Sequence, residues 1–306
     1  MPKISIILPT YNVEPYIERA LQSCINQTFK DIEIIVVDDC GNDKSIEIAK
    51  NYAKKDERIK IIHNKKNLGL LRARYEGVKA AISDYIMFLD PDDYLELNAC
   101  EECIKVLDNN EVDLICFNYK RFNDEGKIEE ELYYKENQYN IIAFYDFLKS
   151  NFPYIQWSIW GKLLKKDKYL NAYNILNLKN DEKINIAEDT FLYMFYLPLC
   201  CLIKTLEQCL INYYISKNSL TNGLNTEKLF NIYKEHKILY NKMIQLKKNS
   251  KIRNKKYYYL FLISFERAMC NYYFKYLKIT KQYSINFKIK KLLLKIKFFI
   301  LEKIKI

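Results

Sequence analysis

Four short apolar segments alternate with amphipathic patterns near the start of the chain, and this alternation restricts the fold more than any other feature. The apolar segments are rich in β-branched and aromatic residues, which is typical of buried strands; they are 3–8, 32–37, 59–62 and 85–89. Between them, apolar residues recur at the spacing of one buried helical face, over 17–25, 45–54 and 70–81. Strands that alternate with helices predict an α/β fold with a mostly parallel sheet flanked by helices.

Acidic residues follow two of these strands directly. Asp38 and Asp39 end the second, and residues 90–93, with the sequence Asp-Pro-Asp-Asp, follow the fourth. The carboxyl ends of parallel strands meet at one sheet edge, where ligands bind in open α/β sheets. Carboxylates this close repel one another unless a cation such as Mg²⁺ or Mn²⁺ lies between them, held also by substrate phosphates. A solvated acidic turn is the alternative, because Asp and Pro both favour turns.

The chain lacks the glycine-rich motifs that hold phosphates. Neither G-x-G-x-x-G nor G-x-x-x-x-G-K-[ST] follows the first strand. A nucleotide at this edge would therefore need a metal and cations to neutralise its phosphates. Tyr11 is placed to stack on a base and Asp39 to accept a hydrogen bond from a ring N–H, with Asp90 and Asp92 beside the diphosphate and its metal.

Five motifs in register make the first ninety or so residues resemble the family 2 inverting glycosyltransferases, which have a GT-A fold. The motifs are SIILPTYN at 5–12, QTF at 27–29, EIIVVDD at 33–39, N-x-G-x-x-x-AR at 67–74 and FLDPDD at 88–93. The resemblance implies a UDP-sugar donor. It places Pro9, Tyr11 and Asp39 around the uracil, Arg74 near the donor, Asp90 near the ribose and sugar, and Asp92 on the metal and diphosphate. Pro91 and Tyr75 depart from the usual pattern.

A second acidic pair, Glu188 and Asp189, follows Ala187 and resembles the [GA]-E-D motif of the same family, ahead of a helix predicted over 190–196. Inverting transfer requires a base that removes the proton of the acceptor hydroxyl. By resemblance Asp189 is that base, and Glu188 orients the acceptor. The alternative is that the two acids only stabilise a helix N-terminus, where negative charge is favoured.

The two tryptophans of the chain lie in a segment that resembles the family's W-x-K-[LF] motif near the acceptor. An indole face suits the C–H-rich face of a sugar, whereas core packing is the alternative. We assign Trp160 to the acceptor site and Trp157 to the core. Lys162 either contacts the diphosphate or is a surface lysine.

Charge is divided unevenly along the chain. Residues 1–224 carry 28 Lys and Arg against 34 Asp and Glu, a net charge of −6, whereas residues 225–306 carry 21 against 4, a net charge of +17, which together give +11. We therefore predict a catalytic domain over 1–224, with a nucleotide-sugar half at 1–100 and an acceptor half at 101–224, and a basic helical region over 225–306.

The last segment, 287–306, combines apolar residues at helical spacing with many lysines. Such a helix suits an anionic membrane surface. Packing on the catalytic domain is the alternative, and nucleic acid is a weaker third option because the catalytic half is acidic and carries no recognised binding motif.

Nine cysteines, an odd number, are scattered in mostly apolar surroundings, and we find neither a signal-peptide pattern nor 18 consecutive apolar residues. This predicts reduced thiols in a cytoplasmic protein, peripheral on the inner face of the cytoplasmic membrane. Cys100 and Cys103 lack a second cysteine pair or nearby histidines, so we expect two buried positions on a helix.

The predicted activity is inverting transfer of a hexose from a UDP-sugar, with Mn²⁺ or Mg²⁺, to a hydroxyl of a glycan or glycolipid. Segments 23–33 and 37–43 resemble most the lipooligosaccharide outer-core galactosyltransferases, which implies a β-1,3-linked galactose. Two alternatives stay open. One is a UDP-N-acetylhexosamine or UDP-glucose transferase acting on capsule or lipid-linked glycan, and the other is a non-catalytic nucleotide-sugar-binding scaffold.

Overall fold

A computed structural model describes residues 1–108, 111–151, 154–179, 182–215, 225–246 and 255–280. Of these, the residues within 1–144 and 156–216 form one compact unit, and those within 145–155 and 217–306 form a second. The segment 287–306, predicted to bind a membrane surface, lies outside the described residues.

The first unit is built on a single mixed sheet. Its strands are β1 Ile4–Thr10, β2 Ile32–Asp38, β3 Ile59–His63, β4 Tyr85–Phe88, β5 Tyr94–Leu95, β6 Leu114–Phe122, β7 Ile128–Glu131, β8 Asn137–Asn140, β9 Lys162–Lys165 and β10 Leu202–Tyr214. Their order is β3-β2-β1-β4-β9-β6-β10-β5, with β7 beside β6 and β8 beside β10. The strands β1 to β4 pair in parallel, and β9 joins β4 to β6 in antiparallel fashion. The predicted α/β fold is confirmed.

Helices connect these strands, and the three predicted from periodicity match the structure to within one residue at each end. The helices are α1 Ile17–Ile25, α2 Ser45–Ala53, α3 Leu70–Ala80, α4 Ala99–Leu107, α5 Ile141–Ser150, α6 Lys166–Leu176 and α7 Glu188–Tyr196, with a 3₁₀ turn at Leu197–Leu199. The α5 helix crosses the boundary between the two units. Cys100 and Cys103 are buried free thiols on α4, as expected.

The core of the first unit lies against the central parallel strands. Every residue of β1 is buried, because this strand has neighbours on both sides and apolar side chains on both faces. The α3 helix lies unusually close to the sheet at Gly77. A Cβ atom there would lie 2.4 Å from Ile7 Cγ2 and 3.0 Å from Val37 Cγ2, so only glycine permits this approach.

The strand order reverses between β1 and β4, and we call the region at the carboxyl ends of these two strands the crevice. The chain adds β2 and then β3 on one side of β1, and then returns to place β4 on its other side. Ligands bind at such a reversal of strand order in open α/β sheets. The segments that leave β1 and β4 here are Pro-Thr-Tyr-Asn at 9–12 and Asp-Pro-Asp-Asp at 90–93.

The described part of the second unit contains the long helices α8 Thr226–Leu246 and α9 Lys255–Ile279. Ring contacts of Phe230 with Tyr276 and of Tyr233 with Tyr273 show that the two helices run antiparallel. The buried residues of α8 recur every three or four positions, as expected for one packed face. Within the described ranges, no helix combines the length and the apolar character that a bilayer crossing requires.

Candidate active site

Asp39 joins the ends of the first strands to the start of α3. Its backbone N–H donates to Thr10 O at 3.0 Å. Its buried carboxylate accepts hydrogen bonds from Asn64 Nδ2 at 2.8 Å, Leu68 N at 2.8 Å and Gly69 N at 3.0 Å. A carboxylate has about four acceptor positions, so Asp39 fixes the 67–69 turn and keeps capacity for one more donor.

Tyr11 leaves β1 at the crevice with 48% of its surface exposed, whereas Pro9 is buried in the strand. The next residue, Asn12, has a left-handed backbone with φ of 53°. The Asn12 Oδ1 accepts a hydrogen bond from Asn42 N at 2.7 Å, which ties this turn to the segment after β2. The exposed Tyr11 ring is therefore available for stacking at the crevice.

The acidic segment after β4 forms a tight turn. Asp93 N donates to Asp90 O at 2.9 Å, and Pro91 occupies the second position, where its fixed φ favours such a turn. Asp93 is fully buried, and its Oδ1 accepts from Tyr214 N at 2.8 Å. Asp90 and Asp92 are half-buried, and burial together with the Asp90 charge raises the pKa of Asp92 to about 6.

Arg74 joins the acid turn to the [GA]-E-D motif. The side chain is almost fully buried; its Nη2 donates to Asp90 Oδ1 at 2.7 Å and its Nη1 to Glu188 Oε1 at 2.5 Å. Burial opposes the charged form of Arg74, but the two carboxylates outweigh it and raise the Arg74 pKa. The ion pairs bring together residues that are 114 positions apart in the sequence.

Glu188 and Asp189 both lie in the first turn of α7, which begins two residues earlier than predicted. Burial and the Asp189 charge raise the pKa of Glu188, against the lowering effect of Arg74. Asp189 is half-buried and its Oδ1 accepts from Thr190 N at 2.6 Å. Its pKa is also raised, chiefly by burial. Glu188 therefore pairs with Arg74, while Asp189 is the acid of this motif that remains outside the ion pair.

Lys162 is fully buried on β9, so the surface-lysine alternative is wrong. Its Nζ donates to Ser158 O at 2.6 Å and lies 5.1 Å from the centre of the Tyr193 ring. Burial lowers the pKa of Lys162 to about 8, although Cys116 and Asp189 act in the opposite direction. The Lys162 charge in turn lowers the pKa of Asp189.

Trp160 belongs to an aromatic cluster beside the acid turn. Its ring is half-buried, stacks on Tyr213 at a centroid distance of 5.1 Å and meets the Tyr119 ring edge-on at 5.0 Å. Tyr213 precedes Tyr214, whose N–H donates to Asp93 at 2.8 Å, so the cluster lies beside the acid turn. Burial and the charges of the three aspartates at 90–93 raise the pKa of Tyr213 to about 12. Trp157, assigned to the core from sequence, is also half-buried.

Comparison with known proteins identifies the family. Residues 5–162 match the model described as Glycosyl transferase family 2. The chain belongs to glycosyl transferase family 2. It is 35% identical over 223 residues to the uncharacterized glycosyltransferase EpsJ of Bacillus subtilis, which covers 72% of this chain and 63% of EpsJ. This chain thus spans less than two thirds of the length of that relative.

Two further similarities are to a protein of B. subtilis and to a solved structure from S. aureus. The minor teichoic acid biosynthesis protein GgaB of B. subtilis is 34% identical over 189 residues, or 60% of this chain and 20% of GgaB. The crystal structure of S. aureus TarS 1-349 in complex with UDP-GlcNAc superposes with a TM-score of 0.64 at 20% identity, covering 86% of this chain and 71% of TarS 1-349. The latter similarity confirms the GT-A-like fold.

The carboxylate oxygens at the crevice fit a divalent cation that is also coordinated by the substrate. Within the described ranges, no group of three or more His, Cys, Asp or Glu side chains is arranged to hold a metal alone. Asp90 and Asp92 offer carboxylate oxygens, which Mg²⁺ and Mn²⁺ prefer. Mg²⁺ typically takes one or two carboxylates and completes its shell with phosphate and water. The residues present therefore fit a metal that binds together with a diphosphate.

Sequence reasoning missed three features of this candidate site. The first is the ion pair between Arg74 and Glu188. The second is the burial of Lys162, which the apolar residues Ile159 and Leu163 nearby in the sequence could have indicated. The third is Tyr213, which gave no signal because tyrosine is common in strands.

Proposed function

We propose that the chain transfers a sugar from a UDP-sugar to a hydroxyl group of a glycan or glycolipid, with inversion at the anomeric carbon. The observation that carries this proposal is the Asp90–Arg74–Glu188 bridge. It fixes the donor-side turn against the start of α7, so that Asp189 lies at the same crevice as Asp92. A nucleotide-binding scaffold without catalysis has no need for a second acidic pair held in this way.

The donor half of the proposal assigns a role to each side chain at the crevice. Tyr11 stacks on the uracil beside Pro9, and Asp39 accepts a hydrogen bond from the uracil N–H. Asp90 lies near the ribose and sugar, and Asp92 holds Mn²⁺ or Mg²⁺ on the diphosphate. When bound, this metal stabilises the negative charge of the departing UDP. Arg74 keeps Asp90 in place.

The transfer step uses Asp189 as the general base. Asp189 takes the proton of the acceptor hydroxyl while the acceptor oxygen forms a bond to the anomeric carbon. The bond between that carbon and the UDP oxygen breaks, and its electron pair leaves with UDP. Attack on the face opposite UDP inverts the anomeric configuration. Glu188 orients the acceptor, and Trp160 offers its indole to a sugar face.

Two donors are supported by different observations. Segments 23–33 and 37–43 resemble the lipooligosaccharide galactosyltransferases, which favours UDP-galactose and a β-1,3 linkage. The similarity to TarS in its UDP-GlcNAc complex and to GgaB, named for teichoic acid biosynthesis, favours UDP-GlcNAc and a cell-surface polymer. We favour UDP-GlcNAc and a cell-surface polymer, because the similarity to TarS extends over 86% of the chain and the similarity to GgaB over 60%.

A donor panel tests the proposal. The purified chain is incubated with UDP-GlcNAc, UDP-galactose, UDP-GalNAc or UDP-glucose in Mn²⁺ or Mg²⁺, with teichoic-acid and lipooligosaccharide fragments as acceptors, and UDP release is measured. We expect release from UDP-GlcNAc above the others. Release from UDP-galactose alone would favour the galactosyltransferase alternative. Tight UDP binding without release from any donor would favour the scaffold.

The basic region 225–306 is proposed to hold the enzyme, with its catalytic domain at 1–224, on the anionic inner face of the cytoplasmic membrane. The charge of +17 in this region supports the proposal, because each basic residue near an anionic surface adds about 1 kcal/mol of binding. Sedimentation with anionic vesicles tests it. Equal partitioning of the chain with and without residues 286–306 would contradict the role given to the segment 287–306.

A further inference from the structure

Arg19 lies in an aromatic cage that has no role in the proposed function so far. The cage consists of the rings of Tyr94, Phe122 and Tyr214, whose centroids lie 5.2 Å, 4.7 Å and 5.3 Å from the Arg19 guanidinium carbon. A guanidinium within about 6 Å of a ring face is attracted to the π electrons. Three rings, from β5 and from the ends of β6 and β10, thus hold this α1 side chain in one place.

The guanidinium held by the cage contacts the main chain of the acid turn. Arg19 Nη2 donates to the carbonyl oxygen of Asp92 at 2.6 Å. The neighbouring residue Pro91 has a fixed φ, and the Asp93 N–H closes the turn onto Asp90. The Asp92 carbonyl and the Asp93 N–H belong to the same peptide unit, so this unit is held at both ends, by Asp90 O and by the charged Arg19 donor.

The opposite side of the turn is attached to the same cage. The buried carboxylate of Asp93 accepts the N–H of Tyr214 at 2.8 Å, and the Tyr214 ring is one wall of the cage. Tyr16, one turn before Arg19, contacts this ring at a centroid distance of 5.2 Å. The acid turn is thus connected to β10 by Asp93 and to α1 by Arg19.

We propose that Arg19 is a positioning residue that orients the Asp92 carboxylate toward the metal and diphosphate of the donor. This inference rests on the proposed function, in which Asp92 binds these groups. Arg19 acts through the main chain of Asp92, so its loss weakens the metal-dependent part of donor binding. Stacking of the base on Tyr11, at the end of β1, is unaffected.

The test compares UDP affinity with and without metal in Arg19→Met, Arg19→Lys and Asp92→Ala. Isothermal titration calorimetry of the full chain gives the UDP dissociation constant in saturating Mn²⁺ and in EDTA. We expect Arg19→Met to weaken binding about tenfold in Mn²⁺, the size of one charge-assisted hydrogen bond, with no change in EDTA. Arg19→Lys, which keeps the charge, is expected to recover part of the loss.

Arg58→Met is the matched control. Arg58 is also half-buried and donates to a main-chain carbonyl, Ile25 O at 2.9 Å, but is bound to Asp56 away from the acid turn. Its loss is expected to leave both UDP constants unchanged, even where the melting temperature falls.

The outcomes distinguish the proposed role of Asp92 from the proposed role of Arg19. If Asp92→Ala keeps the Mn²⁺-dependent affinity, the proposed role of Asp92 fails. If Asp92→Ala loses that affinity while folded Arg19→Met keeps it, the role of Arg19 is overturned. Should Arg19→Met not fold, as judged by circular dichroism, Arg19→Lys decides: a loss of about threefold in Mn²⁺ is expected, and wild-type affinity would overturn the inference.

Discussion

Neighbouring carboxylates at the crevice have different surroundings, and these determine what each can do. Asp93 is occupied by a backbone N–H of β10, and Asp90 and Glu188 share Arg74. Asp189 is outside this ion pair, and burial raises its pKa above that of an ordinary aspartate. A raised pKa makes a carboxylate a stronger base, which suits the removal of a hydroxyl proton.

Replacing Lys162 by Met is expected to lower the activity of the protein without lowering its stability. Burial lowers the pKa of Lys162 from 10.5 to about 8, which corresponds to about 3 kcal/mol of unfavourable free energy while the lysine is charged. At pH 7 we therefore expect Lys162→Met to unfold at the same or a higher urea concentration than the wild type. Turnover at pH 7 is expected to fall, because removal of the nearby positive charge raises the pKa of Asp189 further and leaves a smaller fraction of it ionised as the base.

The stability difference depends on pH with a definite sign. Between about pH 8 and 10.5 the folded wild type has lost the Lys162 proton while the unfolded chain keeps it, so this lysine makes the wild type more stable as pH rises. The advantage of Lys162→Met should shrink over this range in urea unfolding experiments. Lys50→Met, an exposed control, should show no such trend. A variant less stable than wild type by a constant amount at every pH would contradict this account.

At the residue scale, sequence nominates candidate side chains but does not show what they contact. The resemblance to the family motifs singles out Asp92 and Asp189, since acids in turns and at helix N-termini also have structural uses. The Arg74–Glu188 pair could not be predicted, since it joins distant parts of the chain. The surface alternative for Lys162 was wrong, and sequence could not show its burial because lysine is almost never fully buried without a partner.

Among the elements, α3 connects the two sides of the site. Its N-terminus follows Gly69, which has φ of 84° and whose N–H binds Asp39. The Leu70 N–H donates to Asn185 Oδ1 at 3.0 Å, just before α7. Arg74, one turn further, reaches Asp90 and Glu188. The position of α3 on the sheet therefore sets the distance between the residues proposed to bind the donor and those proposed to bind the acceptor.

Gly77→Ala tests the close approach of α3 to β1. The new methyl group would lie 2.4 Å from Ile7 Cγ2, so either the helix or the Ile7 side chain must shift. We expect the free energy of unfolding to fall by about 1–3 kcal/mol, the usual cost of overpacking, although alanine favours helix more than glycine does. Urea unfolding followed by circular dichroism measures this change.

Lys79→Ala on the same helix is the control for this prediction. Lys79 is exposed, and its removal should change the free energy of unfolding by no more than about 0.5 kcal/mol. If Gly77→Ala is as stable as Lys79→Ala, the helix does not lie as close to β1 as described.

Helices and strands whose own sequence has a clear apolar pattern could be predicted. Short strands that form only by pairing with a neighbouring strand could not. The helices α1, α2 and α3 and the strands β1 to β4 follow from amphipathic spacing and apolar runs. The strands β5, β7, β8 and β9 are two to four residues long. Strands this short contain too few residues for a pattern, and they form because β4, β6 and β10 offer free edges.

In the first unit as a whole, the strand order and the side-chain chemistry both indicate a site at the carboxyl ends of β1 and β4. The reversal of strand order puts Tyr11 and the acid turn at one crevice, and the chain later returns through β9 and α7 to add Lys162 and Asp189. Sequence predicted the first part, because its motifs lie within one hundred residues. The return of the later segments depends on the antiparallel pairing of β9 with β4, which sequence did not reveal.

The central claim is that Asp189 removes a proton from the acceptor. Asp167 provides a matched control, because it lies in the first turn of α6 and its Oδ1 accepts the next residue's N–H at 2.7 Å, as Asp189 does. A helix-stabilising role predicts that Asp167→Asn and Asp189→Asn behave alike, whereas a catalytic role predicts that they differ.

The most direct measurement is kcat for these two variants between pH 5 and pH 8, with the best donor from the panel and UDP affinity measured in parallel. We predict that Asp189→Asn lowers kcat by about 10²–10⁴-fold with unchanged UDP affinity, and that Asp167→Asn keeps wild-type kcat. Wild-type kcat should fall as the pH drops through the raised pKa of Asp189, because the protonated acid is no base. Wild-type turnover in Asp189→Asn would contradict the account.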